Sequence, residues 1–371
     1  MRILQISSAQ SLGGGERHLA DLANGLVARG HHLYVALRRR SPLLEELKNV
    51  SKENIFTLSL RNSLDAKSAQ DLSRLVSKYN IQIVHAHMAR DYPLAAYAVG
   101  RHPESRLIVT RHVLFRLNRM HRITLSKAAR VIAVSKAVAL QLRTDHVAPA
   151  EKISVVLNGI DIDRFARAKA EFDRRQFLDA WKLPTDSALV GLVGELSPLK
   201  GQEEFVRAAA QVLQQFPKTY FIIAGVDHSE GNKHQKRLER LTEELDLTSH
   251  VRFIGWLEDL PELYSVLDVF VSASHTESFG LAIAEAMASG TTVVATETEG
   301  ARELIREGET GLLVPIGDVG ALASRILRLL THENERIRLG VAAQQTATAE
   351  FSLKRMIAET EKIYEAETQN R

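Results

Sequence analysis

The chain has 371 residues, of which 45% are hydrophobic and 25% are charged, and this is typical of a globular protein of about two domains. It contains no cysteine, which excludes disulfides, thiol catalysis and cysteine-bound metals. No apolar run approaches the roughly 20 residues of a membrane span, and the first residues enter a strand without a signal-peptide core, so we expect a cytoplasmic protein.

The net charge of +3 conceals two halves of opposite sign. Residues 1–165 carry 25 basic against 13 acidic side chains, whereas the remainder carries 23 against 32. Opposite signs predict two domains with different partners. The basic half favours an anionic partner such as a phosphorylated acceptor or a membrane surface, in which case the protein would be peripheral on the inner face of the membrane. We expect no nucleic-acid partner, because the chain has no recognised motif and only 6% aromatic residues.

Strands and helices alternate through the first half, beginning with a strand at Arg2–Ser7, a loop containing three glycines, and a helix at Glu16–Arg29. Gly13, Gly14 and Gly15 lie at the turn where a doubly wound sheet binds phosphate, although they do not form the G-x-G-x-x-G fingerprint and a tight turn alone would also use glycine. The alternation predicts a parallel sheet with helices on both faces.

Histidines follow two of the predicted strands. His87 ends the strand at 81–87, and His112 follows the strand at 106–111. Ligand residues of such sheets lie past the carboxyl ends of strands, so His112 is predicted to donate a hydrogen bond in a cleft, with capping or packing as the alternative. Zinc bound by His85, His87 and His112 is a further hypothesis, but two of these share one strand face at a spacing common in cores. We therefore predict no metal site.

Large apolar side chains interleave with arginine and lysine between Val113 and Arg130. This mixture suits a segment at a lipid interface, and it equally suits an amphipathic helix with a basic outer face. A turn at Asn158-Gly-Ile-Asp161 closes the first domain, 1–165, and residues 166–185 are predicted to be a linker.

The second domain, 186–350, restarts the alternation. Lys200 lies in the loop after its first strand, where a lysine neutralises a diphosphate, although most isolated lysines are simply solvated. The chain ends in an amphipathic helix at Phe351–Glu367, and residues 351–371 are predicted to pack back on the first domain.

An Ala-rich helix predicted at Gly280–Ser289 follows the apolar strand at Asp268–Ser274. The first amides of a helix have no partners within it and form a ready site for phosphate. The amides predicted for this role belong to Phe279, Gly280 and Leu281.

Two glutamates flank this predicted anion site, Glu277 in the loop and Glu285 inside the helix. Carboxylates accept hydrogen bonds from paired hydroxyls, so the pattern suits a diphosphate with hydroxyl groups on either side. The alternative is an ordinary helix start, with Glu277 as an acidic first-turn residue and Glu285 exposed.

Four motifs occur together in order within the two Rossmann-like halves: Gly13-Gly-Gly-Glu16, Asn158-Gly-Ile-Asp161, Lys200-Gly201 and Glu277-x7-Glu285. In combination they resemble the family-4 retaining glycosyltransferases of the GT-B fold, also called glycosyl transferases group 1. The resemblance covers nearly the whole chain. It implies two doubly wound parallel-sheet α/β domains facing a cleft.

The resemblance also implies site roles. The second domain would hold a nucleoside-diphosphate-sugar donor, as substrate and without a cofactor. Glu285 would bind the ribose hydroxyls, Glu277 the donor sugar, and Lys200 with the amides of residues 279–281 the diphosphate. Gly14 and Gly15 would approach the phosphate and sugar, and His112 would contact the sugar near the reacting carbon.

The implied reaction is metal-independent transfer with retention, because Lys200 and the helix start would stabilise the leaving diphosphate. The acceptor would be lipid-linked, saccharide or phosphorylated, as in envelope polysaccharide or glycolipid synthesis. Alternatives are a sugar-nucleotide epimerase, a disaccharide phosphorylase, or a non-catalytic scaffold that binds nucleotide or membrane.

One residue departs from the family pattern. Glu195 stands where the family usually has an arginine, and a glutamate repels phosphate where an arginine would bind it. Three explanations remain open: Glu195 points away, Arg111 or Arg17 substitutes, or phosphate binding is weaker.

Overall fold

The protein is described by a computed structural model covering residues 1–117, 119–257 and 260–369. The chain forms two compact units, Met1–Gly159 with Leu353–Arg371, and Ile160–Ser352. Each unit contains one sheet of parallel strands with helices packed around it. The predicted fold class, two doubly wound parallel-sheet α/β halves, is confirmed.

The first sheet has seven strands in the order β3-β2-β1-β4-β5-β6-β7, and the second has six in the order β10-β9-β8-β11-β12-β13. The strands of the first sheet are β1 (Arg2–Ser7), β2 (His32–Arg38), β3 (Ile55–Leu58), β4 (Ile83–Ala86), β5 (Arg106–Arg111), β6 (Arg130–Ala133) and β7 (Ile153–Val155). Those of the second are β8 (Ala188–Val193), β9 (Thr219–Ala224), β10 (Val251–Gly255), β11 (Val269–Ser272), β12 (Thr292–Thr296) and β13 (Leu312–Val314).

The helices are numbered along the chain. Those before the second sheet are α1 (Gly14–Ala28), α2 (Leu43–Glu46), α3 (Ala66–Lys78), α4 (Tyr92–Val99), α5 (Arg119–Ser126), α6 (Lys136–Thr144), α7 (Ile162–Glu171) and α8 (Arg174–Ala180). The rest are α9 (Gln202–Leu213), α10 (Lys233–Glu244), α11 (Leu260–Val266), α12 (Leu281–Ala288), α13 (Glu299–Leu304), α14 (Val319–Thr331), α15 (Glu333–Glu350) and α16 (Leu353–Gln369).

Both sheets reverse their strand order at one place, between β1 and β4 in the first and between β8 and β11 in the second. The loops leaving two such strands diverge to opposite faces, and a crevice opens above the carboxyl ends. Strands buried on both faces are mostly apolar, as in β11, where three apolar residues precede Ser272. The polar residues just beyond these strands are therefore the ones that a ligand can meet.

The C-terminal helix α16 lies in the first unit, starting two residues later than predicted. It packs on α1, where a Cβ added to Gly25 would stand 2.2 Å from Ile357 Cδ1. Tyr364 is fully buried, and its hydroxyl lies 2.5 Å from Nδ1 of His85. On the rim, Glu361 accepts a hydrogen bond from His31 Nε2 at 2.7 Å. The helix is thus part of the core of this unit.

Residues 166–185, predicted as a linker, lie within the second unit, where α7 and α8 occupy most of the segment. Phe165 packs near Tyr264, with ring centroids 6.0 Å apart. Arg174 donates hydrogen bonds to Val266 O and to Asp268 Oδ2. These contacts attach the segment to α11 and to the start of β11.

Helix α15, 18 residues long, was not predicted from the sequence. Its buried side is built from Leu339, Gly340, Ala343 and Ala347 rather than from a stripe of large apolar residues. A Cβ on Gly340 would stand 2.3 Å from Gly290 O, so the glycine allows close approach to the end of α12. No helix within the described ranges is both long and apolar enough to cross a membrane.

Candidate active site

Lys200 and Glu277 meet at the switch point of the second sheet. Lys200 follows β8 and Glu277 follows β11, the two strands between which the order reverses. The lysine Nζ donates to Glu277 Oε1 at 2.5 Å, and the side chains are 30% and 16% exposed. An ion pair this open retains donors and acceptors for a ligand. The structure thus brings together two residues that are 77 positions apart in sequence.

The loops carrying this pair are fixed by close backbone contacts. Gly201 has φ +66°, and a Cβ there would stand 1.9 Å from Ala273 O. Ser274 Oγ donates to Glu277 Oε1 at 2.9 Å, and Gly300 N donates to Glu277 O at 3.1 Å. These contacts fix the two loops and leave part of each charged side chain exposed.

The helix beside the pair begins one residue later than predicted. Gly280 is its N-cap, with φ +96°, so the first helical amides belong to Leu281, Ala282 and Ile283. Of the three predicted amides, only that of Leu281 is helical. Phe279 is 2% exposed and packs edge-on against Phe351, with centroids 5.8 Å apart. Its side chain therefore anchors the loop, and the positive φ of Gly280 lets the chain turn into the helix.

Glu285 lies on α12 and is 9% exposed, which overturns the alternative of an exposed glutamate. The hydroxyl of Tyr264, itself fully buried, donates to Glu285 Oε2 at 2.8 Å. The bond orients the carboxylate on the apolar helix that follows Glu277.

Glu195 has an exposed side chain, while its backbone is tied to the unit. Gln202 Nε2 donates to Glu195 O at 2.8 Å, and the next residue, Leu196, is buried. Of the two proposed substitutes, Arg111 is 7% exposed in the first unit and donates to Phe115 O. The side chain of Arg111 is thus committed to holding the loop that follows β5.

In the first unit, the glycine turn meets His112. Gly14 and Gly15 are the first two residues of α1, and Glu16 Oε2 accepts a hydrogen bond from Gly13 N at 3.0 Å. A Cβ on Gly15 would stand 3.4 Å from His112 Cγ, an ordinary van der Waals contact, so the start of the helix lies directly beside the ring. Gly15 and His112, both predicted as site residues, are therefore neighbours.

Four histidine rings cluster near the switch point of the first sheet. His85 and His87 project from the same side of β4, with ring centroids 4.1 Å apart. His87 Nδ1 lies 3.4 Å from His112 Nε2, and His18 of α1 meets His112 edge-on at 4.8 Å. His18 Nδ1 is bonded to Asn158 Oδ1 at 2.9 Å, which gives a contact to the turn predicted at 158–161.

Burial keeps these rings uncharged at neutral pH. It lowers the pKa of His18 to about 4, and it lowers the pKa of His85, His87 and His112 well below the ordinary histidine value. A buried carboxyl lies nearby on the same sheet edge: burial raises the pKa of Asp91 to about 6, although Ser8 N donates to its Oδ2 at 2.8 Å. At pH 7 the crevice of the first unit therefore holds four neutral imidazoles, whereas the Asp91 carboxyl, with its pKa of about 6, is mostly ionised.

Three residues of these constellations were missed from the sequence: His18, Tyr264 and Ser274. Each acts through a contact distant along the chain or through a turn, and each looks like an ordinary helix or strand-end residue. The only available signal for His18 was its place one turn beyond the glycine cluster.

Comparison with protein families agrees with this geometry. A family model described as Glycosyl transferases group 1 matches residues 173–346, and one described as Glycosyltransferase Family 4 matches residues 12–164. The chain belongs to the family-4 glycosyltransferases. The predicted membership is confirmed, and together the two matches cover every strand of the two sheets except β1.

Curated relatives of this glycosyltransferase family member include two named D-inositol 3-phosphate glycosyltransferase. The protein from Corynebacterium urealyticum is 36% identical over 202 residues, 53% of this chain and 47% of the relative. That from Salinispora tropica is 31% identical over 298 residues, 77% of this chain and 59% of the relative. The chain thus matches about half to three fifths of the length of these relatives.

Solved structures support the GT-B fold of this glycosyltransferase family member. A glycosyltransferase from Rickettsia africae superposes with a TM-score of 0.89 at 24% identity, covering 100% of this chain and 99% of that one. HepE from Anabaena, crystallised with UDP, superposes with a TM-score of 0.86 at 23% identity, covering 99% and 100%. At these identities the likeness concerns the fold, and the expected GT-B fold is confirmed.

Proposed function

We propose that this protein transfers a sugar from a nucleoside-diphosphate sugar to an acceptor hydroxyl, with retention of the anomeric configuration. The observation that carries the proposal is the Lys200–Glu277 pair at the switch point of the second sheet, immediately before α12. Lys200 contacts the diphosphate, Glu277 the hydroxyls of the donor sugar, and Glu285 the ribose hydroxyls. The first amides of α12 add further donors for phosphate.

The chemistry follows from charge. Breaking the bond between the anomeric carbon and the diphosphate oxygen leaves a cationic sugar and a diphosphate with one more negative charge. The ammonium of Lys200 and the positive end of α12 stabilise that diphosphate. The acceptor oxygen bonds to the anomeric carbon from the leaving-group side, and its proton passes to a diphosphate oxygen. No protein nucleophile and no metal takes part in this scheme.

The first unit supplies the acceptor side of the proposal. Gly14 and Gly15 leave room for the substrate above α1, and His112 contacts the donor sugar near its reacting carbon. A phosphorylated acceptor is supported by the name of the relatives that share 31–36% identity, D-inositol 3-phosphate glycosyltransferase, and by the excess of basic residues in 1–165. A lipid-linked or saccharide acceptor, as in envelope polysaccharide or glycolipid synthesis, would use the same crevice.

Peripheral binding to an anionic membrane is part of this proposal. Phe115 and Ile123 are 64% and 67% exposed, and the side chain of Arg116 is 87% exposed. Exposed apolar and cationic groups on one segment suit a lipid interface. Vesicles with and without anionic lipid, sedimented at low salt, test this separately from catalysis: equal binding to both would remove the membrane from the proposal.

Lys200→Met tests the role of the pair in catalysis. We expect kcat to fall about 100–1,000-fold, as when one electrostatic donor is removed from an active site, with a smaller effect on UDP affinity. Activity is measured with a panel of sugar nucleotides and D-inositol 3-phosphate or lipid-linked saccharides as acceptors. The anomeric configuration of the product is read by NMR.

Lys218→Met is the matched control, because Lys218 forms an exposed ion pair with Asp186 in the same unit. Equal losses in the two variants would contradict the proposal. Donor isomerisation without acceptor would identify an epimerase, a requirement for inorganic phosphate a phosphorylase, and donor binding without any turnover a scaffold.

A further inference from the structure

The histidine cluster of the first unit contains more coordinating atoms than the proposed reaction uses. His18, His87 and His112 come from α1, the end of β4 and the end of β5, and one ring nitrogen of each lies within 4.8 Å of the others. Only His112 has a role toward the sugar. His85 is engaged elsewhere, with Thr110 Oγ1 at 2.7 Å and Tyr364 OH at 2.5 Å.

Two of these rings, those of His87 and His112, cannot have all their ring nitrogens hydrogen-bonded. His87 Nδ1 and His112 Nε2 share one hydrogen bond at 3.4 Å, so one ring donates and the other accepts. The outer nitrogens, His87 Nε2 and His112 Nδ1, are buried without a hydrogen-bond partner among the described residues. Either choice of tautomer therefore leaves one buried N–H unpaired, which is rare in folded proteins. The protein-only arrangement is incomplete.

The third ring is already oriented as a ligand. Because Asn158 Oδ1 accepts from His18 Nδ1, the lone pair of His18 lies on Nε2. An imidazole held through its outer nitrogen by an oxygen acceptor is the usual second shell of a metal-bound histidine. Asn158 belongs to a motif that the proposed transfer reaction leaves without a role.

We propose that His18, His87 and His112 bind one Zn²⁺ ion in the first unit. Zinc takes imidazole nitrogens at about 2.0–2.1 Å in a tetrahedron, whose edge is then about 3.4 Å. The distance between His87 Nδ1 and His112 Nε2, 3.4 Å, equals that edge. The ligand nitrogen of His18 lies within 4.8 Å of the other two, so it needs to move inward by only part of that distance. When zinc takes the two inner nitrogens, the proton shared by the rings moves to the outer nitrogen of the ring that donated it, and the fourth position is left for water.

The zinc affinity depends on the hydrogen-bond acceptors that hold the outer nitrogens of the three rings. Only His18 has an outer acceptor, while the outer nitrogens of His87 and His112 would need water. Metal binding weakens about 10–100-fold for each ligand ring whose outer nitrogen has no hydrogen-bond acceptor. We therefore expect reversible, micromolar binding rather than the tight binding of a structural zinc site.

Occupancy has a consequence that rests on the proposed function. His112 bound to zinc is no longer free to contact the donor sugar, so Zn²⁺ inhibits transfer and a chelator restores it. Metal binding itself is independent of that role, and the two are measured separately.

Cobalt titration of the chelator-treated full chain tests the site. We expect one Co²⁺ per chain with the intense visible absorption of tetrahedral coordination, displaced by Zn²⁺. His87→Ala should weaken binding at least about 100-fold, and Asn158→Ala about 10–100-fold through the orientation of His18. His146→Ala, at an exposed histidine of the same unit, should leave binding unchanged.

The proposal is overturned if cobalt gives only the weak spectrum of octahedral coordination, or if His146→Ala and His87→Ala bind it equally. Melting temperatures establish that the variants fold. Should His87→Ala fail to fold, X-ray absorption of the zinc-loaded wild type decides: three imidazole ligands support the site and fewer refute it. Zinc binding without inhibition would leave the site intact and contradict only the role of His112.

Discussion

The hydrogen bond from the Tyr264 hydroxyl to Glu285 can be removed by a single conservative substitution. Tyr264→Phe removes one oxygen from a fully buried side chain and leaves the ring in place. The lost bond is the 2.8 Å contact to Glu285 Oε2, whose residue is 9% exposed. Little water is available to replace the donor, so the carboxyl group is left with one hydrogen-bond partner fewer.

The magnitude follows from the type of bond. A hydrogen bond accepted by a carboxylate contributes about 1.5–3 kcal/mol. In a unit of this size, each kcal/mol lowers the melting temperature by about 2–4 °C, so we expect a fall of roughly 3–12 °C. A Glu285 that is no longer oriented should also bind ribose hydroxyls less well, by about 5–10-fold in UDP affinity.

Calorimetric unfolding and titration with UDP measure both effects. Tyr220→Phe, on a half-buried tyrosine of β9, is the matched control and should change neither. A double-mutant cycle with Glu285→Ala isolates the contact, because its coupling energy should account for most of the loss caused by Tyr264→Phe. If Tyr264→Phe matched the control, or if the two substitutions were additive, the orientation of Glu285 by Tyr264 would be refuted.

Three further predictions address other parts of the molecule. Between pH 7 and pH 5.5 the free energy of unfolding should fall, because unfolded histidines bind protons near pH 6.5 whereas buried His18 binds one only near pH 4. His18 alone lowers the free energy of unfolding by about 1.2 kcal/mol, and the other three rings act with the same sign. The raised pKa of Asp91 acts in the opposite direction and adds about 0.8 kcal/mol. Urea unfolding at the two pH values checks this, and equal or higher stability at pH 5.5 would contradict it. Gly201→Ala should lower the free energy of unfolding by more than about 3 kcal/mol or prevent folding, because the added Cβ would stand 1.9 Å from Ala273 O. Gly231→Ala is the control: Gly231 has a similar φ and no atom within 4 Å, so this change should lower it by about 1 kcal/mol. Equal unfolding midpoints for the two variants would show that the clash is relieved. Ser274→Ala removes a 2.9 Å donor from Glu277 and should lower kcat about tenfold with KM little changed, so a pure KM effect would argue against its positioning role.

The sequence was sufficient to predict the two sheets and the placement of Lys200 and Glu277 near each other. Apolar β-branched runs alternating with helical patterns allow few arrangements, because parallel strands need crossover helices and these are right-handed. Residues just past such strands must then lie at one edge of the sheet. Loop position alone thus accounts for Lys200, Glu277 and His112.

Other contacts could not be predicted, because they depend on packing between distant segments. His18 was an ordinary residue of an amphipathic helix until the fold placed it against His112, and the zinc hypothesis accordingly chose His85 instead. Tyr264 gave no sign of reaching Glu285, since helix ends do not specify side-chain partners. Helix α15 has no large apolar stripe, so periodicity did not reveal it, and its small residues act through close backbone approach.

The two switch points use opposite electrostatic solutions, and the proposed reaction explains why. In the proposed reaction, the charged pair of the second unit would stabilise the diphosphate as it gains negative charge. The neutral imidazole of His112 would meet the sugar as it becomes positive. At an effective dielectric constant of 20, a protonated ring assumed to lie on the order of 6 Å from the positive carbon would oppose its charge by about 2.8 kcal/mol, a loss of about 100-fold in rate. Burial of the rings, by keeping their pKa values low, removes that penalty at neutral pH.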